Sequence, residues 1–110
     1  MVVYVPDRGD LVWLQFNPQS GHEQAGRRPA LTLSPKAYNQ KVGLAIFCPV
    51  TSQEKGYPFE VKIKEEIIQG VILADQVKSL DWKKREATFI TKVPLSVINN
   101  VIELLRTLVS

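Results

Sequence analysis

This sequence of 110 residues contains only one histidine and one cysteine. A zinc site needs several such ligands at recognisable spacings, and the sequence has no His-Glu-x-x-His motif and no Asp-x-Asp pair for magnesium. The phosphate-binding glycine loop and the Gly-x-Ser-x-Gly nucleophile turn are also missing. These absences argue against metal and nucleotide-cofactor chemistry. The sequence therefore predicts no metal site and no cofactor.

Disulfides and long hydrophobic runs are missing as well. The lone cysteine, Cys48, lies inside an apolar run, which predicts a buried core residue rather than a nucleophile. The apolar runs are too short to cross a bilayer, and the N-terminal residues do not resemble a signal peptide. We therefore expect a cytoplasmic protein with no membrane partner. A composition of 45% hydrophobic and 23% charged residues predicts one globular domain over residues 1–110.

Short apolar or alternating stretches, separated by turn residues, predict about six β-strands. They cover residues 10–16, 30–33, 44–50, 59–63, 70–78 and 82–93. Residues 34–41 are predicted to be a connection with one helical turn. From Pro94 to the end, apolar residues recur every three to four positions and predict an amphipathic helix.

This order of elements predicts a mainly β fold, in which a small, strongly bent antiparallel sheet or partial barrel is capped by a C-terminal helix. The predicted helix is apolar over more than half of its circumference. One small barrel cannot cover so wide a face, which favours a homodimer.

The densest group of polar residues lies between the first two predicted strands. Residues 21–30 contain His22, Glu23, Gln24, Arg27 and Arg28. Glycine at both ends of the polar run indicates a mobile loop, which is where binding and catalytic residues often lie. Pro29 favours an extended backbone at Arg28, so this arginine is predicted to lie at the edge of a strand. Solvated loop charges explain the same composition equally well.

Strand ends add further polar groups: Thr51, Asp75 and Gln76 follow buried stretches, while Lys55 and Lys78 supply positive charge. Such anion-binding and proton-handling groups suit a reaction that needs no cofactor, and RNA cleavage by its own 2′-hydroxyl is one. Arginine matches phosphate with planar donors but is a poor base. A threonine hydroxyl can donate to a phosphate oxygen. The net charge of +3 permits an anionic partner without requiring one.

Five short segments resemble one known family in order and spacing. They are Gly-Asp-Leu-Val-Trp-Leu-Gln-Phe-Asn-Pro, Gly-His-Glu-Gln-Ala-Gly-Arg-Arg-Pro-Ala, Pro-Val-Thr-Ser, Lys-Gly-Tyr-Pro-Phe-Glu-Val and Ala-Asp-Gln-Val-Lys-Ser. From about Val5 to about Arg85 the chain resembles the MazF/PemK family of toxin endoribonucleases. The segment Lys-Gly-Tyr-Pro-Phe-Glu-Val brings it nearest to the MazF branch.

The resemblance implies a homodimer of SH3-like barrels that cuts single-stranded RNA at a short sequence without metal. The products would carry a 2′,3′-cyclic phosphate and a 5′-hydroxyl, and the toxin would be held in check by an antitoxin with an acidic, flexible tail. The MazF branch also suggests cutting beside an adenine-cytosine-adenine triplet, although recognition loops vary.

The family's arginine and threonine fall on Arg28 and Thr51, and its loop glutamate falls on Glu23. The PemK branch has a further catalytic arginine where this chain has Leu73, so Asp75 is expected to contact a base or to support the structure. The predicted catalytic residues are therefore Arg28 and Thr51, and the identity of the general base stays open. Glu23 could be that base, a contact to a base edge or a partner that orients Arg28, and His22 could accept the hydroxyl proton. The predicted RNA-binding residues are Gln24, Arg27, Lys55, Tyr57, Asp75, Gln76 and Lys78.

Two other interpretations stay open. The chain would also fit a toxin of related fold that inhibits a protein target such as a topoisomerase, or a non-catalytic module that binds RNA or an acidic peptide. Proton-transfer groups beside Arg28 favour the nuclease, because binding alone does not require them.

Overall fold

The computed structural model describes residues 3–16 and 26–110. Within these ranges the chain forms seven β-strands and two helices. The strands are β1 (Asp10–Gln15), β2 (Arg27–Thr32), β3 (Ala45–Thr51), β4 (Glu60–Lys64), β5 (Gln69–Leu73), β6 (Lys78–Leu80) and β7 (Thr88–Lys92), and the helices are α1 (Lys36–Val42) and α2 (Leu95–Val109).

The strands form one curled antiparallel sheet in the order β4-β5-β3-β2-β1-β7, with β6 pairing to β3. Strand β3 is central: β2 lies along one edge, while β6 and β5 share the other. The first half of that shared edge, Ala45–Phe47, pairs with β6, and Val50 and Thr51 pair with β5. The predicted mainly β fold, a bent antiparallel sheet with a C-terminal helix, is confirmed.

Several predicted boundaries were wrong. Residues 70–78 are two strands rather than one, because the chain turns after Leu73, where the N–H of Gln76 donates to the Leu73 carbonyl at 3.1 Å. Residues 82–86 form turns rather than strand, since the Asp81 carboxylate accepts the N–H groups of Lys83 and Lys84. Strand β2 begins at Arg27 instead of residue 30, and α1 has seven residues instead of one turn.

Side chains pack on both faces of the sheet. One cluster includes Leu31, Cys48 and Ile72, and α2 adds Ile98 and Val101 to it. The other cluster is built around Phe47 and Trp82. No helix in the described ranges is long and apolar enough to cross a membrane.

Gly70 is the position at which β5 passes closest to the end of β3. Its φ of +150° is rarely adopted by residues that carry a side chain, and a Cβ at this position would overlap the carbonyl oxygen of Thr51. The Cβ would also lie 3.2 Å from the Cα of Ser52. Glycine is therefore required here because two backbones pack directly against each other.

We expect Gly70→Ala to lower the free energy of unfolding by about 2–4 kcal/mol, because it combines overpacking with an unfavourable φ. Urea denaturation measures this loss. Gly43→Ala is the matched control: Gly43 also has a positive φ, of +83°, but a Cβ there would meet nothing within 4 Å. The control should lose only about 1 kcal/mol. Equal losses in the two variants would contradict the close approach of β5 to Thr51.

Candidate active site

A pocket of about 500 Å³ opens where β2 begins, where β3 and β5 end and where the connection from β3 to β4 starts. Side chains that the sequence predicted for the site line it: Arg28, Thr51, Lys55, Tyr57 and Gln76. Residues separated by up to 48 positions along the chain thus converge on one concavity.

The β2–β3 pairing explains how Arg28 and Thr51 come together. The last residues paired in this ladder are Ala30 and Pro49. Pro29, the next residue of β2 whose nitrogen faces β3, has no N–H to donate, so it weakens the ladder at this point. Continuing the same register by two residues brings Arg28 level with Thr51, and all of Arg28, Pro49 and Thr51 line the pocket.

Arg27 and Arg28 are neighbours in sequence but lie on opposite faces of β2. Successive side chains of a strand point to opposite sides of the sheet. The Arg27 guanidinium lies 5.6 Å from the ring centroid of Trp13, a cation–π contact, whereas Arg28 lines the pocket. The structure therefore does not bring Arg27 into the pocket, and its role in RNA binding stays a prediction.

Thr51 is held by the backbone that follows it. Its hydroxyl oxygen accepts the N–H of Gln53 at 3.2 Å. A hydroxyl has one donor and two acceptor positions, so this bond leaves the Thr51 proton available for a ligand in the pocket. The turn after β3 thus fixes the oxygen without using its donor.

Tyr57 is positioned by a carboxylate and by a second ring. Its hydroxyl donates to Oδ2 of Asp75 at 2.5 Å, and its ring centroid lies 5.9 Å from that of Phe59. The bond to Asp75 raises the pKa of Tyr57 above its ordinary value, because a phenolate beside a carboxylate is unfavourable. Asp75 does not itself line the pocket; it acts on the pocket through Tyr57.

Lys78, a predicted RNA-binding residue, and Cys48, the lone cysteine, do not line the pocket. Lys78 is paired with Phe47 on β3, four residues along the strand from Thr51, or about 13 Å at the usual rise. Cys48 is fully buried, and burial together with the charge of Asp75 raises the pKa of its thiol to about 12. The prediction that Cys48 is a core residue is confirmed.

The remaining candidates, His22, Glu23 and Gln24, lie outside the described residues. The chain on either side of them is well anchored. The N–H of Phe16 donates to the Gly26 carbonyl at 2.7 Å, and the Arg85 guanidinium donates to the carbonyls of Gln15 and Phe16, each at 3.0 Å. Phe16 and Gly26 are therefore bonded to each other, two residues from Arg28 in the chain.

Two polar residues that line the pocket, Gln53 and Glu60, were not predicted from the sequence. The alternating pattern of residues 59–63 assigned Glu60 to a half-exposed strand and gave it no partner. Its carboxylate in fact accepts backbone N–H groups of the preceding turn. The described residues contain no group of three His, Cys, Asp or Glu side chains placed to hold a metal ion.

A curled β half-barrel whose strand ends carry cationic and hydroxyl groups defines a small protein suited to binding an anion. A family model described as the PemK-like, MazF-like toxin of type II toxin-antitoxin systems matches residues 7–109. The chain belongs to this family, as the sequence motifs predicted.

Individual relatives agree with this assignment. The chain is 56% identical over 85 residues to the endoribonuclease toxin MazF of Escherichia coli K12, covering 77% of each sequence. It is 30% identical over 109 residues to the endoribonuclease PemK of Escherichia coli, covering 94% of this chain and 82% of PemK. Among solved structures, MazE-MazF (Form-II) from Deinococcus radiodurans superposes with a TM-score of 0.87 at 48% identity, covering 98% of both chains.

We expect Asp75→Asn to lower the pKa of Tyr57 towards its ordinary value, because the neutral amide no longer penalises the phenolate. An NMR titration of labelled tyrosines measures this shift, and the Tyr57 signal is identified by its loss in Tyr57→Phe. Asp81→Asn is the control, since the Asp81 carboxylate accepts N–H groups of its own turn. A Tyr57 pKa that stays high in Asp75→Asn would show that the two side chains are not bonded in solution.

Proposed function

We propose that this chain is the toxin of a toxin–antitoxin pair and a metal-independent endoribonuclease that cuts single-stranded RNA at a short sequence. The observation that carries the proposal is the convergence of Arg28 and Thr51 in one pocket with Lys55 and Tyr57. Membership of the toxin family and relatives named endoribonucleases support the same activity. The predicted class of enzyme is thereby confirmed at the level of the family.

The proposed reaction needs only groups of the protein and the RNA. The 2′-oxygen attacks the adjacent phosphorus, the bond from phosphorus to the 5′-oxygen breaks, and a 2′,3′-cyclic phosphate and a 5′-hydroxyl result. Arg28 binds the phosphorane oxygens and stabilises their added negative charge. The Thr51 hydroxyl donates to a non-bridging oxygen, from the position that its bond to Gln53 gives it.

We assign proton transfer to residues that precede Arg28 in the sequence. One group must accept the proton of the 2′-hydroxyl, and another must protonate the leaving 5′-oxygen. Glu23 and His22 are our candidates for the base. Asp75 is a weaker candidate because it bonds Tyr57 and does not line the pocket. Leu73 lines the pocket where the PemK branch has an arginine, and it supplies no charge there.

The pocket rim offers contacts to the rest of the RNA. Lys55 is placed to contact a phosphate, and Gln76 offers an amide to a base edge. The Tyr57 ring is 46% exposed and can stack on an unpaired base. Gln24, Arg27, Asp75 and Lys78 complete the proposed RNA-binding set, with Asp75 acting through Tyr57.

Two protein partners complete the proposal. The antitoxin would bind through an acidic, flexible tail, which the basic pocket favours. A second copy of the chain would cover part of α2, where Leu95, Leu108 and Val109 are 70%, 52% and 73% exposed. We place this toxin in the cytoplasm, as one domain spanning residues 1–110, with no cofactor.

The decisive test is to incubate the purified protein, free of antitoxin, with long single-stranded RNA in EDTA and to map the product ends. We expect cuts at one short sequence with cyclic phosphate and 5′-hydroxyl ends, because the nucleophile belongs to the RNA. A 2′-deoxy nucleotide at the cut site should block that cut. Cutting that requires added magnesium would overturn the mechanism. No cutting by folded protein would favour a protein-directed toxin or a binding module.

Single substitutions test the assigned roles. We expect Arg28→Ala and Thr51→Ala each to reduce kcat by at least about 100-fold, the usual effect of losing one transition-state donor. Arg106→Ala is the control, since Arg106 pairs with Glu103 on α2 and lies outside the pocket. Circular dichroism checks that each variant is folded. Near-normal rates in folded Arg28→Ala would refute the assignment.

A further inference from the structure

The backbone between β3 and β4 turns around a single carboxylate. Oε2 of Glu60 accepts the N–H of Lys55 at 3.0 Å, and its Oε1 accepts the N–H groups of Gly56 at 3.0 Å and Tyr57 at 3.2 Å. In return, the N–H of Glu60 donates to the Tyr57 carbonyl at 3.1 Å. Four hydrogen bonds thus join one residue to three consecutive residues.

This turn has the features of a preformed binding site for a carboxylate. Gly56 has a φ of +77°, which glycine adopts without steric cost and which helps successive N–H groups to converge. Hydrogen bonds to a charged acceptor are stronger than neutral ones. The nearby Glu54 differs: it forms an exposed ion pair with Lys62 at 3.2 Å and does not line the pocket.

The turn supplies the pocket with two of its side chains. Lys55 and Tyr57 flank Gly56, and both line the pocket with Arg28 and Thr51. We propose that Glu60 is a positioning residue for RNA binding, which holds the Lys55–Tyr57 turn so that the ammonium group and the ring face the RNA. The inference rests on the proposed ribonuclease function and adds a residue to it.

The sign of the charge makes this proposal specific. A carboxylate that accepts no hydrogen bonds from the protein would repel the phosphate in such a pocket, so its removal should strengthen RNA binding. The Glu60 carboxylate accepts three backbone N–H groups, so its removal should release the turn and weaken RNA binding. The two alternatives predict opposite effects of one substitution.

The role is separable from folding. The β4–β5 ladder pairs Glu60 with Leu73 through the backbone, and the N–H of Ala74 donates to the Phe59 carbonyl at 2.9 Å. These bonds do not involve the Glu60 side chain. Loss of the carboxylate should therefore leave the sheet intact and affect residues 55–57.

The test compares Glu60→Ala and Glu60→Gln with the wild-type protein in RNA cleavage at saturating and limiting substrate. We expect Glu60→Ala to raise KM for the RNA by about 10-fold and to leave kcat within about twofold, as expected for lost ground-state binding. In Glu60→Gln the KM should rise less, since the one amide oxygen of glutamine can still accept from the turn.

Glu54→Gln is the matched control, because it removes the same charge from the connection that precedes Glu60. It should leave KM within about twofold of the wild-type value, as surface ion pairs contribute little. Epistasis gives a second check: in a Lys55→Ala/Tyr57→Ala background, adding Glu60→Ala should raise KM no further, because Glu60 acts through those two residues.

Hydrogen exchange measures the hold on the turn without reference to catalysis. In Glu60→Ala the amides of Lys55, Gly56 and Tyr57 should exchange about 10-fold faster, with the amides of β4 and β5 unchanged. A wild-type KM, tighter RNA binding in Glu60→Gln, or unchanged exchange at residues 55–57 would overturn the inference. Failure of the wild-type protein to cut RNA would contradict the proposed function instead, and the exchange result would still test Glu60.

Discussion

The site depends on how strand β3 divides its pairing among three neighbours. One edge pairs with β2 as far as Pro49, and the opposite edge passes from β6 to β5 at its C-terminal end. Because Pro29 of β2 has no N–H to donate to β3, the two strands do not continue as a regular ladder. The space beyond it is the pocket lined by Arg28 and Thr51. Strand β3 thus supplies the rigid support for the site, and β2 supplies the local break in pairing beside it.

Electrostatics in the pocket follow from what the carboxylates already bind. Glu60 and Asp75 bring negative charge close to the site, which would oppose an anionic ligand. Both oxygens of Glu60 accept from three N–H groups, and Oδ2 of Asp75 accepts from the Tyr57 hydroxyl. The cationic groups Arg28 and Lys55 are the charged donors left to face a phosphate. The two carboxylates thereby organise the turn and the aromatic ring.

Much of the fold could be predicted from the sequence, and the predictions that were wrong have physical causes. Runs of β-forming or apolar residues located β1 and the buried β3, and apolar residues at three-to-four spacing located the C-terminal helix, because burial selects these patterns. These patterns could not divide residues 70–78, since the turn there depends on β5 and β6 pairing with different parts of β3. Arg27 and Arg28 were grouped because they are adjacent, but a strand that begins at Arg27 puts them on opposite faces. Glu60 was missed because its alternating position indicates only a strand, and its partners lie in the preceding turn.

The proposed mechanism uses no cofactor, so small displacements of the active-site side chains should have a large effect on rate and affinity. A metal would supply charge largely independently of side-chain conformation, whereas Arg28, Lys55 and Thr51 act only over hydrogen-bond distances. The pocket has Leu73 where the PemK branch has an arginine, so no charge from that position can compensate for a displaced one. Rate and affinity should therefore be set by the elements that hold these side chains. One such element is the close approach of Gly70 on β5 to Thr51, and another is the turn that Glu60 holds at Lys55. Neither needs to contact the RNA directly.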